Sequence, residues 1–219
     1  MEPVDPGEHE KYQELYRLQD RILQIVFSAE QEFYLTGGTC ISRFYQAKRY
    51  SDDLDFFTNA SPRFAFAIRN IKQALQSQLS ITTQVETKGF VRISAEDALQ
   101  VDFLNDVEFR LGDPVVTAEN YLVDSIENIL SNKLTAAIGR DDAKDIFDIM
   151  LIYRFYDVSW PRVLEAAHQK AGFANDDLVV RLKTFPKEML EHIKCIDCEF
   201  LNDFDDLLSG ILNEILQAD

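Results

Sequence analysis

Basic residues, cysteines and long apolar runs are all scarce in this 219-residue chain. It carries 22 Lys and Arg against 38 Asp and Glu, and the formal net charge of −16 argues against a general basic surface for nucleic acid. Any contact with nucleic acid must therefore be local. We expect the acidic excess beyond a metal site to serve solubility or an interaction surface.

No stretch is long and apolar enough for a membrane helix, and the first residues lack the basic and apolar regions of a signal peptide. Three cysteines, Cys40, Cys195 and Cys198, are too few for a secreted disulfide scaffold. We therefore expect a cytoplasmic location and no membrane partner. The glycine-lysine loop of nucleotide hydrolases, the dinucleotide glycine fingerprint and the serine elbow of esterases do not occur, which argues against those classes.

The chain has ample material for a packed core, because 46% of its residues are apolar and sixteen are Phe. Hydrophobic periodicity predicts an α/β (α+β) fold with a mixed sheet and flanking helices. Its predicted elements, in order, are a helix at 8–29, a strand at 33–36, a helix at 40–47, a strand at 53–57, a helix at 62–78, and strands at 81–87, 90–94 and 99–104.

Beyond Pro114 only helical patterns are evident. They predict helices at 124–138, 142–155, 160–171, 177–192 and 200–216. Asp124 and Glu127 resemble a reciprocal N-terminal cap for the first of these helices. We therefore expect residues 1–113 to form the core with the N-terminal helix, and residues 114–219 to form a helical subdomain that completes a cleft.

Three aspartates are the candidates for metal binding and catalysis. Asp53 and Asp55 lie two apart on a predicted strand, so their side chains project from one face and can bind hard cations such as Mg²⁺ or Mn²⁺. Asp102 lies between apolar neighbours on a later strand. If the two strands are adjacent, the three carboxylates converge on a metal site suited to phosphoryl chemistry, with Asp102 as general base.

A glycine turn precedes these aspartates. Gly37, Gly38 and Thr39 follow a short strand and open a helix, so their backbone N–H groups form a candidate site for triphosphate oxygens. Each motif alone has an ordinary alternative, a solvated strand face for the aspartates and a turn that serves only backbone geometry for the glycines. Their order and spacing favour the functional interpretation.

These motifs resemble a known family. The segments LTGGT at 35–39 and RYSDDLDFF at 49–57, followed by NKL at 132–134 and KDIFD at 144–148, are similar to the AbiEii/AbiGii toxins of the DNA polymerase beta-like nucleotidyltransferase superfamily. The resemblance implies a nucleotidyltransferase-type sheet with helices, which transfers a nucleotide from a nucleoside triphosphate with Mg²⁺. It also implies an antitoxin partner, and in some relatives the acceptor is the 3′ end of transfer RNA.

Further candidate contacts to the nucleotide are Lys133 and Arg140, seven apart and near one face of a helix, and Arg49 with Ser51 before the acidic strand. For Lys133 and Arg140 the alternative is a solvated helix face. Arg49 contacts phosphate or balances the nearby aspartates. The remaining candidates, Asp145 and Asp148, are expected to orient these cations; the alternatives are contact with the nucleotide and surface pairing with Lys144 and its neighbours.

The Cys195 and Cys198 pair is predicted to be structural, because a zinc site needs four ligands and a redox motif belongs at a helix start after a strand. His168 and His192 are expected at the surface or an interface.

Three functions stay open at this point. The first is nucleotide transfer to RNA, such as transfer RNA, or to protein. The second is a catalytically silent partner with the same fold. The third is transfer to a small molecule, because an acidic surface suits a cationic acceptor.

Overall fold

The computed structural model describes residues 6–218, and helix α1, Pro6–Ala29, is its first element. One face of this helix carries Ile22 and Leu23, which are almost completely buried. Their burial follows from the helical spacing of apolar residues in this segment. The opening helix predicted at 8–29 is confirmed.

Within the described residues, seven strands form one mixed sheet. In chain order they are β1 Tyr34–Thr36, β2 Leu54–Asn59, β3 Ile81–Glu86, β4 Phe90–Ala95, β5 Leu99–Asp106, β6 Val115–Val116 and β7 Leu122–Val123. Their order across the sheet is β3-β4-β5-β2-β1-β7-β6. The predicted α/β fold with a mixed sheet is confirmed. Strands β6 and β7 were not predicted, because two residues each leave too little periodicity to recognise.

The register of the central strands decides where the aspartates lie. β2 runs parallel to β5, and Asp55 is paired with Asp102. On the far side of β5, the antiparallel strand β4 places Arg92 opposite Asp102. On the other side of β2, the antiparallel strand β1 places Thr36 opposite Asp55. The last residue of β1 and both acidic strands therefore meet in the middle of the sheet.

Helix α2, Gly37–Cys40, begins directly at the end of β1 and continues as a π-helical turn, Ile41–Tyr45. The helix predicted at 40–47 thus starts three residues too late. Gly37 adopts a φ of +72°, in the left-handed region that favours glycine, and makes the whole turn from strand to helix. The N-terminal end of α2 consequently lies beside β2.

Helix α3, Phe64–Gln76, packs on α1, and the other helices follow the sheet. They are α4 Ile126–Gly139, α5 Ala143–Phe155, α6 Trp160–Lys170, α7 Asn175–Lys183 and α8 Phe204–Gln217. The helix predicted at 177–192 is wrong in its second half, because Pro186 interrupts it and a 3-10 turn, Lys187–His192, follows. The helix predicted at 200–216 likewise begins with a 3-10 turn, Glu199–Asp203.

Asp124 is not the cap of α4, and its predicted reciprocal capping with Glu127 is wrong. Ser125 is the cap, and its Oγ accepts a hydrogen bond from the backbone N–H three residues later at 3.2 Å. The fully buried Asp124 carboxylate instead accepts from Thr36 Oγ1 at 2.7 Å and from Arg110 Nη2 at 2.6 Å. It ties the end of β1 to the start of the helical half.

The division into 1–113 and 114–219 stays a prediction, although β6 and β7 extend the sheet beyond residue 113. Buried residues of the sheet and of the helices belong to one continuous hydrophobic core. In the part of the chain that the structure describes, no helix has the length and apolar character required to cross a bilayer.

Cys195 and Cys198 form a disulfide in the segment before α8. The backbone of Cys195 makes an isolated β-bridge with Arg49, and the Tyr50 N–H donates to the carbonyl of Lys194 at 2.9 Å. These backbone contacts join the C-terminal region to the segment that precedes β2, and the disulfide closes a short loop beside them.

Candidate active site

Both glycines of the turn are required by close approaches. A Cβ added to Gly37 would lie 2.7 Å from Asp55 Oδ2, and one added to Gly38 would lie 2.2 Å from Arg49 Nη2. Contacts below 3 Å force neighbouring atoms to move. The glycines therefore let an acidic and a basic side chain approach the N-terminal end of α2, where backbone N–H groups attract anions.

Thr39, the third residue of the predicted phosphate turn, does not face the cleft. Its side chain is fully buried, and its hydroxyl donates to the carbonyl of Asp53 and is hydrogen-bonded to the Ser51 hydroxyl at 2.8 Å. Ser51 is itself buried, although it contributes to the cleft wall. Thr39 thus fixes the segment that leads into β2 and does not offer its hydroxyl to a ligand.

Asp53 and Asp55 line the same cleft, Asp53 directly before β2 and Asp55 within it. Burial, followed by the neighbouring charges of Asp53 and Asp102, raises the pKa of Asp55 to about 7. An aspartate with such a pKa lies among carboxylates that repel one another. Lys133 and Arg140 offset this repulsion only in part, and a bound cation would offset more of it.

Asp102 lies next to Asp55 in the register, yet its carboxylate is engaged elsewhere. Arg92 donates to its two oxygens at 2.8 and 2.6 Å, and Gln100 adds a hydrogen bond at 3.2 Å. Among residues 6–218, no three His, Cys, Asp or Glu side chains gather closely enough to hold a metal ion. Asp53, Asp55 and Asp102 thus line one cleft, while Arg92 from β4 pairs with the third carboxylate, and their role as a metal site stays a prediction.

A buried network of ion pairs lies behind the glycine turn. Arg49 donates to both oxygens of Asp148 at 2.8 Å, and Lys133 Nζ lies 2.8 Å from carboxylate oxygens of Asp148 and Asp145. Arg140 binds Asp145 with Nε at 2.7 Å and Nη2 at 3.1 Å. The side chains of Arg49, Asp145 and Asp148 are almost wholly buried. Helices α4 and α5 thus position three cations through two carboxylates.

Burial and pairing compete in setting the pKa values of this network. Burial alone would raise the pKa of Asp148, but Arg49 and Lys133 hold it below its ordinary value. Burial would lower the pKa of Lys133, but Asp148 and Asp145 hold it above its ordinary value. The same balance raises the pKa of Arg49 and lowers that of Asp145. All members therefore carry their charges at neutral pH.

A cleft of about 500 Å³ joins these parts, a size typical of small-molecule sites. Among the described residues, six of the chain's 22 basic residues line it, but only six of the 38 acidic ones. The basic ones are Arg49, Arg92, Lys133, Arg140, Lys144 and Lys170. The cleft is thus close to electroneutral in a chain of net charge −16, and it is the place where an anionic ligand meets least repulsion.

Most of the predicted site residues line this cleft. They are Gly37, Gly38, Arg49, Ser51, Asp53, Asp55, Asp102, Lys133, Arg140 and Asp145. Asp148 lies behind them, where it pairs with Arg49 and Lys133. Arg49 thus balances the charge of an aspartate, which was the alternative to phosphate contact. Its partner, however, is Asp148 from a distant helix.

Residues 21–214, which are 194 of the 219, match the family described as nucleotidyl transferase AbiEii toxin of type IV toxin–antitoxin systems. The chain belongs to this family. Its fold is similar to that of MenT4, the nucleotidyltransferase toxin Rv2826c from Mycobacterium tuberculosis H37Rv, with a TM-score of 0.65 at 14% identity over 95% of this chain and 85% of that one.

The fold is also similar to that of JHP933 from Helicobacter pylori, with a TM-score of 0.54 at 22% identity over 95% of this chain and 88% of that one. A comparison with curated protein sequences gives no match. The AbiEii family assignment makes this protein a nucleotidyltransferase, and every predicted site residue falls within the matched range.

Arg92, Asp106, Asn132 and Lys170 are among the polar residues that line the cleft of this AbiEii-family protein and that sequence reasoning did not select. Arg92 carried a usable signal, because it alternates with buried residues on β4 in the way that Asp102 does on β5. Lys170 carried none, because it is the last residue of an amphipathic helix, where a lysine ordinarily meets solvent.

Proposed function

We propose that a nucleoside triphosphate binds in the cleft with its phosphates between the glycine turn and Asp53 and Asp55. The carrying observation is the approach of Asp55 to Gly37 at the N-terminal end of α2, with Asp53 beside it. Oxygen donors of this kind fit Mg²⁺ or Mn²⁺. The raised pKa of Asp55 supports the fit, because burial and neighbouring negative charge disfavour its ionised form.

Asp102 becomes available once Arg92 leaves it. The Arg92 side chain is 36% exposed, and its guanidinium lies at the cleft, so an incoming triphosphate competes with Asp102 for the same donors. The released carboxylate then lies next to Asp55 in the register. In this proposal Arg92 exchanges the Asp102 carboxylate for a phosphate group as the nucleotide binds.

Asp53 and Asp55 would hold a divalent cation, which would supply charge neutralisation for the phosphates. The acceptor hydroxyl attacks the α-phosphorus, the bond to the β-phosphate breaks, and pyrophosphate leaves. Asp102 takes the proton of the attacking hydroxyl. Lys133 and Arg140, which Asp145 orients, stabilise the departing phosphates.

For the acceptor we propose RNA, with transfer RNA as the first molecule to test. Its contact is confined to the cleft rim, where Arg92, Arg140 and Lys144 are partly exposed, because the remaining surface of a −16 chain repels a polyanion. Membership of a type IV toxin family supports an antitoxin as protein partner. A small cationic acceptor is the competing candidate.

The test is a calorimetric titration of the wild type, Asp53→Ala and Asp55→Asn with each of the four ribonucleoside triphosphates, with and without Mg²⁺. We expect Mg²⁺-dependent binding that both substitutions remove. Asp141→Asn is the matched control, because Asp141 is exposed and pairs only with Arg181. Labelled nucleotide incorporated into RNA, but not into an amine-rich small molecule, identifies the acceptor.

Absence of triphosphate binding in the wild type contradicts the proposal. Binding that survives in Asp53→Ala and Asp55→Asn contradicts the assignment of the metal ligands. Thermal unfolding of each variant excludes loss of fold as the cause. Because both side chains lie at the cleft, removal of either is expected to leave the free energy of unfolding unchanged or higher.

A further inference from the structure

Lys170 is the last residue of α6, and its ammonium group lies at the cleft without a carboxylate partner. Nζ donates three hydrogen bonds, each of 2.6 Å, to neutral oxygens, namely Asn128 Oδ1, Ser131 Oγ and Asn132 Oδ1. No ion pair within 4 Å joins it to any residue of the described chain. Its proton donors are all used, yet its charge is not neutralised.

The nearest buried carboxylate cannot supply the missing charge, because it already has a partner. Asp124 lies behind Asn128 and is paired with Arg110 at 2.6 Å. Burial lowers the pKa of Lys170 to about 8, with Asp124 and Asp106 opposing the change. Lys170 thus holds a partly buried positive charge against the cleft wall.

Lys170 also fixes the orientation of Asn132. A lysine can only donate, so the atom of the Asn132 carboxamide that faces it must be the oxygen. The amide nitrogen, with its two donors, then lies on the opposite side of the group. Asn132 is partly exposed and lines the cleft, and its nitrogen donates to no other described residue. A pair of N–H donors is therefore offered to a ligand.

The position of Lys170 and Asn132 along the sheet indicates which part of a bound nucleotide they contact. Asp55 and Asp106 both line the cleft, and the charge of Asp106 acts on Lys170. Asp106 lies four residues beyond Asp102 on β5, or about 13 Å along the strand. The Asp55–Asp102 pair and Asp106 therefore mark two ends of the strand surface at the cleft floor, and Lys170 is influenced by the Asp106 end.

The floor between these ends is suited to a flat ring. Phe57 follows Asp55 by two residues on β2, so both project from the same face, and Val107 and Ile129 add apolar surface to the lining. A nucleotide whose phosphates lie at the Asp55 end places its base over this surface. Aromatic contact below and hydrogen-bond donors at the edge are the usual means of base recognition.

We propose that the Asn132 amide, which Lys170 orients, binds the nucleobase of the nucleoside triphosphate and determines which base is accepted. The inference rests on the proposed function, because it assigns the base end of the same site. Since the amide presents only donors beside a positive charge, it favours a base edge with hydrogen-bond acceptors such as carbonyl oxygens.

The test compares two probes, the preferred nucleoside triphosphate and inorganic tripolyphosphate, which has no base. Titrations with Mg²⁺ use the wild type, Lys170→Met, Asn132→Asp and, as matched control, Lys187→Met, because Lys187 is exposed and lies outside the cleft. Loss of a hydrogen bond to a charged or oriented group is expected to weaken nucleotide binding about tenfold in the two cleft variants. Tripolyphosphate binding should stay within about twofold by the same reasoning, since no phosphate contact is removed.

Asn132→Asp separates base recognition from damage to the fold. The new carboxylate is nearly isosteric and gains an ion pair with Lys170, so the variant should be at least as stable as the wild type. It replaces donors with acceptors, and the order of preference among the four nucleotides should therefore change towards bases with amino groups.

If Lys170→Met loses affinity equally for the nucleoside triphosphate and for tripolyphosphate, Lys170 would be assigned to phosphate binding and the inference would be overturned. Unchanged nucleotide affinity in both cleft variants would overturn it as well, and would leave the pair to the acceptor or to α4–α6 packing. Failure of the wild type to bind any triphosphate contradicts the proposed function itself, which is a different result.

Discussion

The buried carboxylate of Asp148 offers the sharpest test of how the site is held together. Its oxygens accept from both Arg49 nitrogens and from Lys133, and the whole group is removed from water. Asp148→Asn preserves the shape but removes the negative charge. It leaves the Arg49 guanidinium buried with no charged partner and leaves Lys133 with Asp145 alone.

Removing one partner of a buried ion pair costs about 3–5 kcal/mol. The asparagine oxygen still accepts one hydrogen bond, so we expect the lower end, about 3 kcal/mol. In a chain of this size each kcal/mol lowers Tm by about 2–4 °C, and the expected decrease is about 6–12 °C. Urea unfolding followed by the fluorescence of Trp160, the single tryptophan, measures the free energy.

Asp141→Asn is the control for this change. Asp141 also pairs with an arginine, Arg181 at 2.8 Å, but both side chains are substantially exposed. Exposed pairs contribute about 1 kcal/mol or less, so the same chemical change should be nearly silent there. If the free energy of unfolding of Asp148→Asn lies within about 1 kcal/mol of the wild-type value, the network does not stabilise the fold as argued.

The pH dependence supplies a second check on the same residue. Pairing lowers the pKa of folded Asp148 below its ordinary value of 3.8. The stability it contributes is therefore present above that ordinary value and is lost as the pH falls through the folded pKa. The difference between wild type and Asp148→Asn should be constant at neutral pH and should shrink in acid.

Two further predictions concern the cleft. Gly38→Ala forces a Cβ against the Arg49 guanidinium and should destabilise the protein by about 1–3 kcal/mol in urea unfolding. Gly139→Ala at the end of α4 meets no atom within 4 Å, so it should be neutral or stabilising, and equal effects of the two would refute the steric reading. Because the pKa of Asp55 is raised to about 7, protons compete with Mg²⁺, and the Tm increase produced by Mg²⁺ should be larger at pH 8 than at pH 6. An increase independent of pH, or one unaffected by Asp55→Asn, would exclude Asp55 as a ligand.

The local parts of the site were predictable because each rests on short-range rules. The two-residue spacing of Asp53, directly before β2, and Asp55, within it, predicts that both face the same side, and a glycine pair between strand and helix marks a tight turn. The pairing of Arg49 with Asp148, 99 residues apart, depends on how α5 packs against the sheet, which periodicity does not specify.

Arg92 and Lys170, two basic residues that line the cleft, were missed for a related reason. Arg92 takes Asp102 because β4 lies beside β5, and strand order is not encoded in alternation. Lys170 reaches the cleft because α6 packs against α4. The sequence thus indicated the chemistry of the site, whereas tertiary packing determined which charges neutralise one another.

The segment that carries Arg49 depends on parts of the chain made much later. Arg49 needs Asp148 for its charge and Cys195 for its backbone bridge, and Tyr50 is bonded to Lys194. During synthesis on the ribosome the N-terminal part of the chain emerges first. The glycine turn and the acidic strand therefore emerge long before these partners do. The nascent chain therefore lacks the contacts that hold Arg49 beside the glycine turn until residue 195 has emerged.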